Sequence, residues 1–154
     1  MNKAYYLLGL ILLWGCEANE TVRLQKRMEA DWQIQRIIFS PLSGGPDSLV
    51  NYSAGKLSFN QGKAGQRNTV LYALERLKPI GATYVVNAGN SISFNEPCCN
   101  VDWSQIYILL QGEFKVDFLE NDEARLTGLV VFADKPGKPM QHAQFFIKKM
   151  PQTR

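Results

Sequence analysis

The chain has 154 residues and a formal net charge of +3. This length fits one domain that buries a core over most of its unfolded surface. The basic residues are scattered and form no stripe of the kind that nucleic acid requires, so a nucleic-acid partner is not expected.

The N-terminal segment has the pattern of a secretory signal peptide. Lys3 precedes an apolar run of 11 residues, Ala4–Trp14, and a membrane-spanning helix needs roughly 20. Leu13-Trp-Gly-Cys16 resembles a lipobox, the motif that lipoprotein signal peptidase recognises. The resemblance implies that residues 1–15 are removed and that Cys16 is lipidated, which anchors the chain to a membrane of the bacterial envelope, expected to be the outer one. A buried N-terminal element and ordinary secretion without lipid stay open as alternatives.

Residues 16–31 are expected to be the lipidated cysteine and a tether. The segment Glu17–Asp31 is charged and nearly free of large apolar side chains, with a short helix expected around Val22–Met28. A spacer of this kind lets an anchored domain clear the lipid headgroups, although a disordered terminus is equally compatible.

From Trp32 onward the pattern is that of short β-strands separated by turns. Apolar and polar residues alternate in the strands, and glycine, asparagine or proline mark the turns. The predicted strands are Trp32–Phe39, Lys56–Asn60, Thr83–Val86, Ser91–Asn95, Phe114–Phe118, Arg125–Phe132 and Ala143–Lys149, and the predicted turns include Ser43–Asp47, Asn87–Asn90 and Asn121-Asp122. At least seven antiparallel strands are therefore expected between Trp32 and Lys149.

Two segments fit either a helix or a strand. In Val70–Leu77 the apolar residues fall at helical spacing before Pro79. In Asp102–Gln111 the apolar residues also repeat at helical spacing, Asp102 can cap the start and Gly112 can close the end, so a helix is expected there. The expected fold is mostly β: a single antiparallel β-barrel or calycin-like sandwich over residues 32–150, with one or two short helices.

Residues 32–150 resemble the lipocalin-like domains of envelope lipoproteins from Bacteroidetes-type bacteria. The likeness rests on Trp32 at the first strand, Gly55-Lys-Leu-Ser-Phe59, Tyr84 with Asn90–Phe94, Phe114–Leu119 with Leu126, and Phe145–Lys149. A second resemblance, to META-domain proteins, rests on Cys98-Cys99, the following expected helix and the hairpin Phe114–Leu126. Both resemblances imply a small β fold of the envelope, and neither implies a catalytic residue.

The sequence contains no recognisable catalytic, cofactor or metal motif. His142 is the only histidine and stands in no triad motif. The loop Gly62–Arg67 is more typical of a turn than of a phosphate site, and Glu120–Glu123 lacks the glycine and terminal glutamate of a calcium loop. Cys98-Cys99 is compatible with buried free thiols, a vicinal disulfide, intermolecular bonding, or metal or redox use, and the first is favoured.

Two functions are expected from this pattern, and an enzyme is not among them. In the first, the barrel binds a small apolar or amphipathic ligand. In the second, it is an envelope interaction protein, an accessory subunit or an enzyme inhibitor, with a filled core; a large dry cavity would favour the first. The residues expected to line a ligand site are Leu57, Phe59, Tyr84, Ile92, Phe94, Tyr107, Phe114, Val116 and Phe118. Trp32 is expected to close one end, and the two tyrosines to offer hydroxyls to a ligand.

Overall fold

The computed structural model describes residues 20–51, 55–63, 67–73, 79–97, 108–132 and 139–151. Within these ranges the chain forms one short helix, α1 (20–28), and nine strands. The strands are β1 (Asp31–Pro41), β2 (Ser48–Asn51), β3 (Lys56–Asn60), β4 (Asn68–Ala73), β5 (Ile80–Asn87), β6 (Ser91–Pro97), β7 (Leu109–Phe118), β8 (Glu123–Val131) and β9 (Gln141–Lys149).

The strands close into an antiparallel barrel of the calycin-like type. From β3 onward each strand pairs with the next, and β9 pairs with β1 along most of its length. β2 and β3 pair with β1 one after the other: Leu49 lies opposite Ile38, and Leu57 lies opposite Trp32. They therefore share one position in the barrel, which has eight strand positions in all.

The strands are strongly staggered around the barrel. Trp32, near the start of β1, pairs with Leu57, which pairs with Tyr72, which pairs with Ile80. This path leads from one end of the barrel to the other within four strand positions. An eight-stranded barrel has an interior that side chains can just fill or that can hold one small ligand.

The helix α1 closes the barrel end at which β1 begins, called the helix end below. Leu24 and Met28 are 2% and 0% exposed and belong to the barrel core. The Trp32 indole Nε1 donates to the Met28 carbonyl at 2.9 Å, and the Phe59 N–H donates to the Ala30 carbonyl at 3.0 Å. Residues 20–31 of the expected tether thus pack onto the barrel, because two apolar side chains one helical turn apart fit its open mouth.

Inward-facing side chains alternate along the strands and form one hydrophobic core. β3 shows this most simply, since Leu57 and Phe59 are buried and Ser58 between them is only partly so. The predicted mostly-β barrel is therefore confirmed. The tight turns are confirmed as well: Asn121 and Asp122 both have positive φ, 56° and 59°, as the two central residues of a type I′ hairpin require.

One sequence expectation differs from the structure, one ambiguous segment is resolved, and one strand is not predicted. Leu109–Gln111, expected to end a helix, begins β7, and Leu110 faces the core opposite Val130 on β8. Residues 102–107 of that expected helix lie outside the described ranges. The ambiguous Val70–Leu77 is strand up to Ala73, and the short strand β2 was not expected at all.

Candidate functional site

Seven of the nine expected ligand-lining side chains are buried inside the barrel. Tyr84 is 1% exposed, and Phe118 at the end of β7 is only partly buried. The other buried members of the set are Leu57, Phe59, Ile92, Phe94, Phe114 and Val116. Trp32 is buried beside α1 at the helix end, where it was expected to close the barrel. Tyr107, Cys16 and Cys98-Cys99 lie outside the described residues.

Aromatic rings from separate strands meet in the interior. The ring centroids of Phe59 on β3 and Phe94 on β6 are 6.1 Å apart, although β3 and β6 are three strand positions apart. Phe94 packs against Phe114 at 5.2 Å, and Phe114 against Phe145 on β9 at 6.1 Å. This row, called the ring row below, crosses the interior between β3 and β6 and continues through β7 to β9. At its level, side chains from separate strands meet inside the barrel.

Tyr72 on β4 crosses the interior at another level. Its ring is 1% exposed, and burial raises the pKa of its hydroxyl to about 12. The backbone of Leu110, across the barrel on β7, lowers the pKa of this hydroxyl again in part. The hydroxyl nevertheless makes no hydrogen bond of normal geometry with the described part of the chain.

Tyr84 on β5 carries a second buried hydroxyl. Its ring meets the Phe59 ring edge-on at 5.3 Å. Burial, and after it the negative charge of Glu29 just past α1, raises the pKa of the hydroxyl to about 12. No described residue hydrogen-bonds it. A buried hydroxyl without a partner costs about 1–3 kcal/mol, so a hydrogen-bonding group beside either hydroxyl would be stabilising.

Tyr72 is the functional candidate that the sequence analysis missed. The sequence around Tyr72 fits a helix as well as a strand, and it therefore predicts no inward face for this segment. Val70 and Tyr72 alternate with the more exposed Leu71, and this period of two would have placed both in the interior.

The cavities found among the described residues lie on the outside of the barrel. A groove of about 220 Å³ at the helix end runs between α1 and the hairpins and is lined by Glu20, Arg23, Leu24, Arg27, Asn90 and Phe118. A wider one of about 750 Å³ lies beside the β7–β8 turn and includes Asp122, Lys148 and Lys149. Neither is enclosed by apolar walls as a site for a small apolar ligand would be.

The described residues offer no metal site of the usual kind. They contain no cluster of three or more histidine, cysteine, aspartate or glutamate side chains that would hold a metal ion. His142 is exposed on β9. Asp117 is hydrogen-bonded by Arg125 at 2.8 Å on the outer wall, which holds the pKa of the carboxyl below its ordinary value.

No protein-family model, curated protein or solved structure matches this chain. In the described ranges, no helix is both long enough and apolar enough to cross a membrane.

Proposed function

We propose that this chain is a lipid-anchored protein of the bacterial envelope with a non-enzymatic role, acting as an interaction module around a filled barrel. The contact between Phe59 and Phe94 carries the proposal, since two rings from opposite walls meet in the interior. A lumen crossed in this way leaves a large ligand no room at that level. Binding is then a task for the outer surface.

The barrel end away from α1 offers apolar contacts for a protein partner. Leu42, Leu49 and Met140 are each about half exposed there, at 51%, 58% and 47%. All three lie in or beside connections at that end of β1, β2 and β9. Exposed apolar side chains gathered at one end of a domain are typical of interaction sites.

Titration with an apolar fluorescent probe tests whether the interior is filled. We expect no saturable binding to the folded wild-type protein. We also expect Phe94→Ala to lower the free energy of unfolding by about 3–5 kcal/mol. The matched control is Val85→Ala, since Val85 is 51% exposed on the neighbouring strand β5, and its loss should stay within about 0.5 kcal/mol. Saturable binding to the wild type would contradict the filled-barrel proposal.

The second candidate function is binding of a small amphipathic ligand, as the lipocalin-like resemblance implies. The Tyr72 hydroxyl favours it, since it makes no hydrogen bond of normal geometry with the described residues and can donate to and accept from a ligand. In the same titration, this candidate expects saturable binding that Tyr72→Phe weakens at least severalfold. The exposed neighbour Leu71→Ala should leave the binding unchanged.

The lipid anchor has its own test. Mass spectrometry of the mature N-terminus should show an acylated Cys16 after cleavage of residues 1–15. An unprocessed Met1, or a Cys16→Ser variant that partitions to membranes like the wild type, would contradict the anchor.

A further inference from the structure

The outer face of α1 is basic. Leu24 and Met28 point into the barrel, so residues two positions away along the helix point outward. Val22 and Lys26 occupy that side, Arg23 lies at its edge, and all three are exposed. Neither Arg23 nor Lys26 forms an ion pair within the described part of the chain. Their charges are therefore available to a partner.

Two further cations lie beside the helix in the β3–β4 connection. Asn68 holds this connection to α1, because its Oδ1 accepts from the Gln25 side-chain amide at 3.1 Å and from the Gly62 N–H at 3.1 Å. Lys63 and Arg67, next to these contacts, are exposed. The segment 61–67 contains no acidic residue.

These residues form a surface called the basic cap: Arg23, Lys26, Arg27, Lys63 and Arg67. The Arg27 guanidinium lies 3.4 Å above the Phe118 ring and so keeps its charge at the barrel rim. The acidic groups of this end are Glu20 and Glu29 at the two ends of α1, Asp31 at the start of β1, and Glu120, Asp122 and Glu123 at the β7–β8 turn. Asp31 is paired with Lys56 at 2.7 Å. Glu123 is paired with Lys148 at 3.4 Å. In residues 20–29 and 61–67, five exposed cations stand beside two carboxylates, so α1 and the connection next to it carry a net positive charge.

The covalent chain fixes how far the basic cap can lie from an anchor. Residue 20 begins α1, four residues after Cys16. Four residues reach at most about 14 Å, whatever their conformation. A lipid on Cys16 therefore holds the helix end close to the bilayer.

We infer that the basic cap docks on an anionic lipid surface, so that the barrel stands with α1 against the membrane and its other end facing away. The inference rests on the proposed lipid anchor for its geometry and on the charge of the cap for its chemistry. Basic residues close to an anionic bilayer each strengthen binding by about fivefold. The orientation leaves Leu42, Leu49 and Met140 accessible to a protein partner.

Vesicle co-sedimentation of the unacylated mature chain, residues 16–154 with Cys16→Ser, tests the cap without the anchor. This chain contains every described helix and strand. We expect binding to phosphatidylcholine vesicles only when they contain phosphatidylglycerol. The double variant Arg23→Gln/Lys26→Gln should bind about 25-fold more weakly. Raising the ionic strength from about 0.01 M to about 1 M, which shortens the Debye length from about 30 Å to about 3 Å, should abolish binding.

The matched control removes two charges from the barrel wall. In Arg36→Gln/Lys115→Gln, the first side chain stacks on Phe146 at 4.2 Å and the second is 67% exposed. This double variant should bind to vesicles that contain phosphatidylglycerol as well as the wild type does. Three results would overturn the inference. The two double variants could weaken vesicle binding equally, the wild type could bind neutral and anionic vesicles equally, or it could bind heparin without binding vesicles. Acylation is measured separately by mass spectrometry, so loss of the anchor and loss of the cap are distinguishable.

Discussion

Gly128 on β8 lies directly beneath the Phe114 ring of the neighbouring strand β7. The two residues are paired in the sheet, and a Cβ added at Gly128 would lie 2.6 Å from the Phe114 Cγ and Cδ1 atoms. Phe114 is also a member of the ring row, in contact with Phe94 and Phe145. A methyl group at position 128 would therefore push against a fully buried ring that already packs on two other rings.

The variant Gly128→Ala should lower the free energy of unfolding by about 1–3 kcal/mol, the usual cost of overpacking a core. Urea denaturation gives the measurement. The matched partner change is Phe114→Leu, which removes the ring and its clash. In the double variant the two losses should be less than additive, as expected for residues in contact. Strict additivity would show that the ring does not confine position 128.

At the scale of elements, the regularity of the alternation decided what the sequence could predict. The predicted strand Lys56–Asn60 is β3 as observed, because its alternation is unbroken and a turn follows it. Leu109–Gln111 was wrongly assigned to a helix, since a helical spacing of Leu and Ile residues is also compatible with a buried strand. β2 has four residues, three of them exposed, and so has too little apolar pattern to be detected.

The helix α1 illustrates a different limit. Its position was expected around Val22–Met28 and is confirmed within a few residues. Its role was not, because the sequence of a charged segment does not reveal that two of its side chains enter a barrel. Leu24 and Met28 become core residues only once the strands have closed around the mouth they fill.

We therefore expect Leu24→Ala and Met28→Ala each to destabilise the whole barrel, by about 2–5 kcal/mol. Val22→Ala is the matched control, because Val22 lies on the same helix and is 49% exposed. Thermal unfolding followed by the near-ultraviolet signal of Trp32, which donates to the Met28 carbonyl, reports on the helix end. Loss of that signal at a temperature where the strands persist would show instead that α1 folds independently of the barrel.

For the molecule as a whole, the alternation of apolar and polar residues predicts which face of a strand turns inward. It does not predict whether the inward side chains of different strands meet in the interior. Whether inward side chains meet depends on the stagger of the strands and on barrel closure. Phe59 and Phe94 are 35 positions apart in sequence, and only the β1–β9 closure and the register of four strands bring their rings together. The same geometry buries the two tyrosine hydroxyls.

Two surface carboxyls make part of the barrel's stability depend on pH in the acid range. The Lys56 ammonium, 2.7 Å from Asp31, and the Arg125 guanidinium beside Asp117 lower the pKa of each carboxyl below its ordinary 3.8. A lowered folded-state pKa contributes stability that is present above the unfolded pKa and is lost as the pH falls through the folded value. The contribution of these two ion pairs should therefore be lost only below about pH 4.

At alkaline pH the shift has the opposite sign, because the pKa values of the two buried tyrosines are raised in the folded state. Burial raises the pKa of Tyr72 and Tyr84 from 10.0 to about 12, so the folded barrel holds these two protons more tightly than the unfolded chain. Stability is then full below pH 10 and falls as the pH rises towards 12, by roughly 2 kcal/mol for Tyr72 alone. Urea denaturation from pH 7 to pH 12 measures this loss of stability.

The variant Tyr72→Phe should lose less stability over that pH range than the wild type. At pH 7 the variant should be at least as stable as the wild type, because a buried hydroxyl without a hydrogen bond of normal geometry has been removed. A Tyr72→Phe variant that is less stable at pH 7 by more than about 1 kcal/mol would mean that the hydroxyl has a partner.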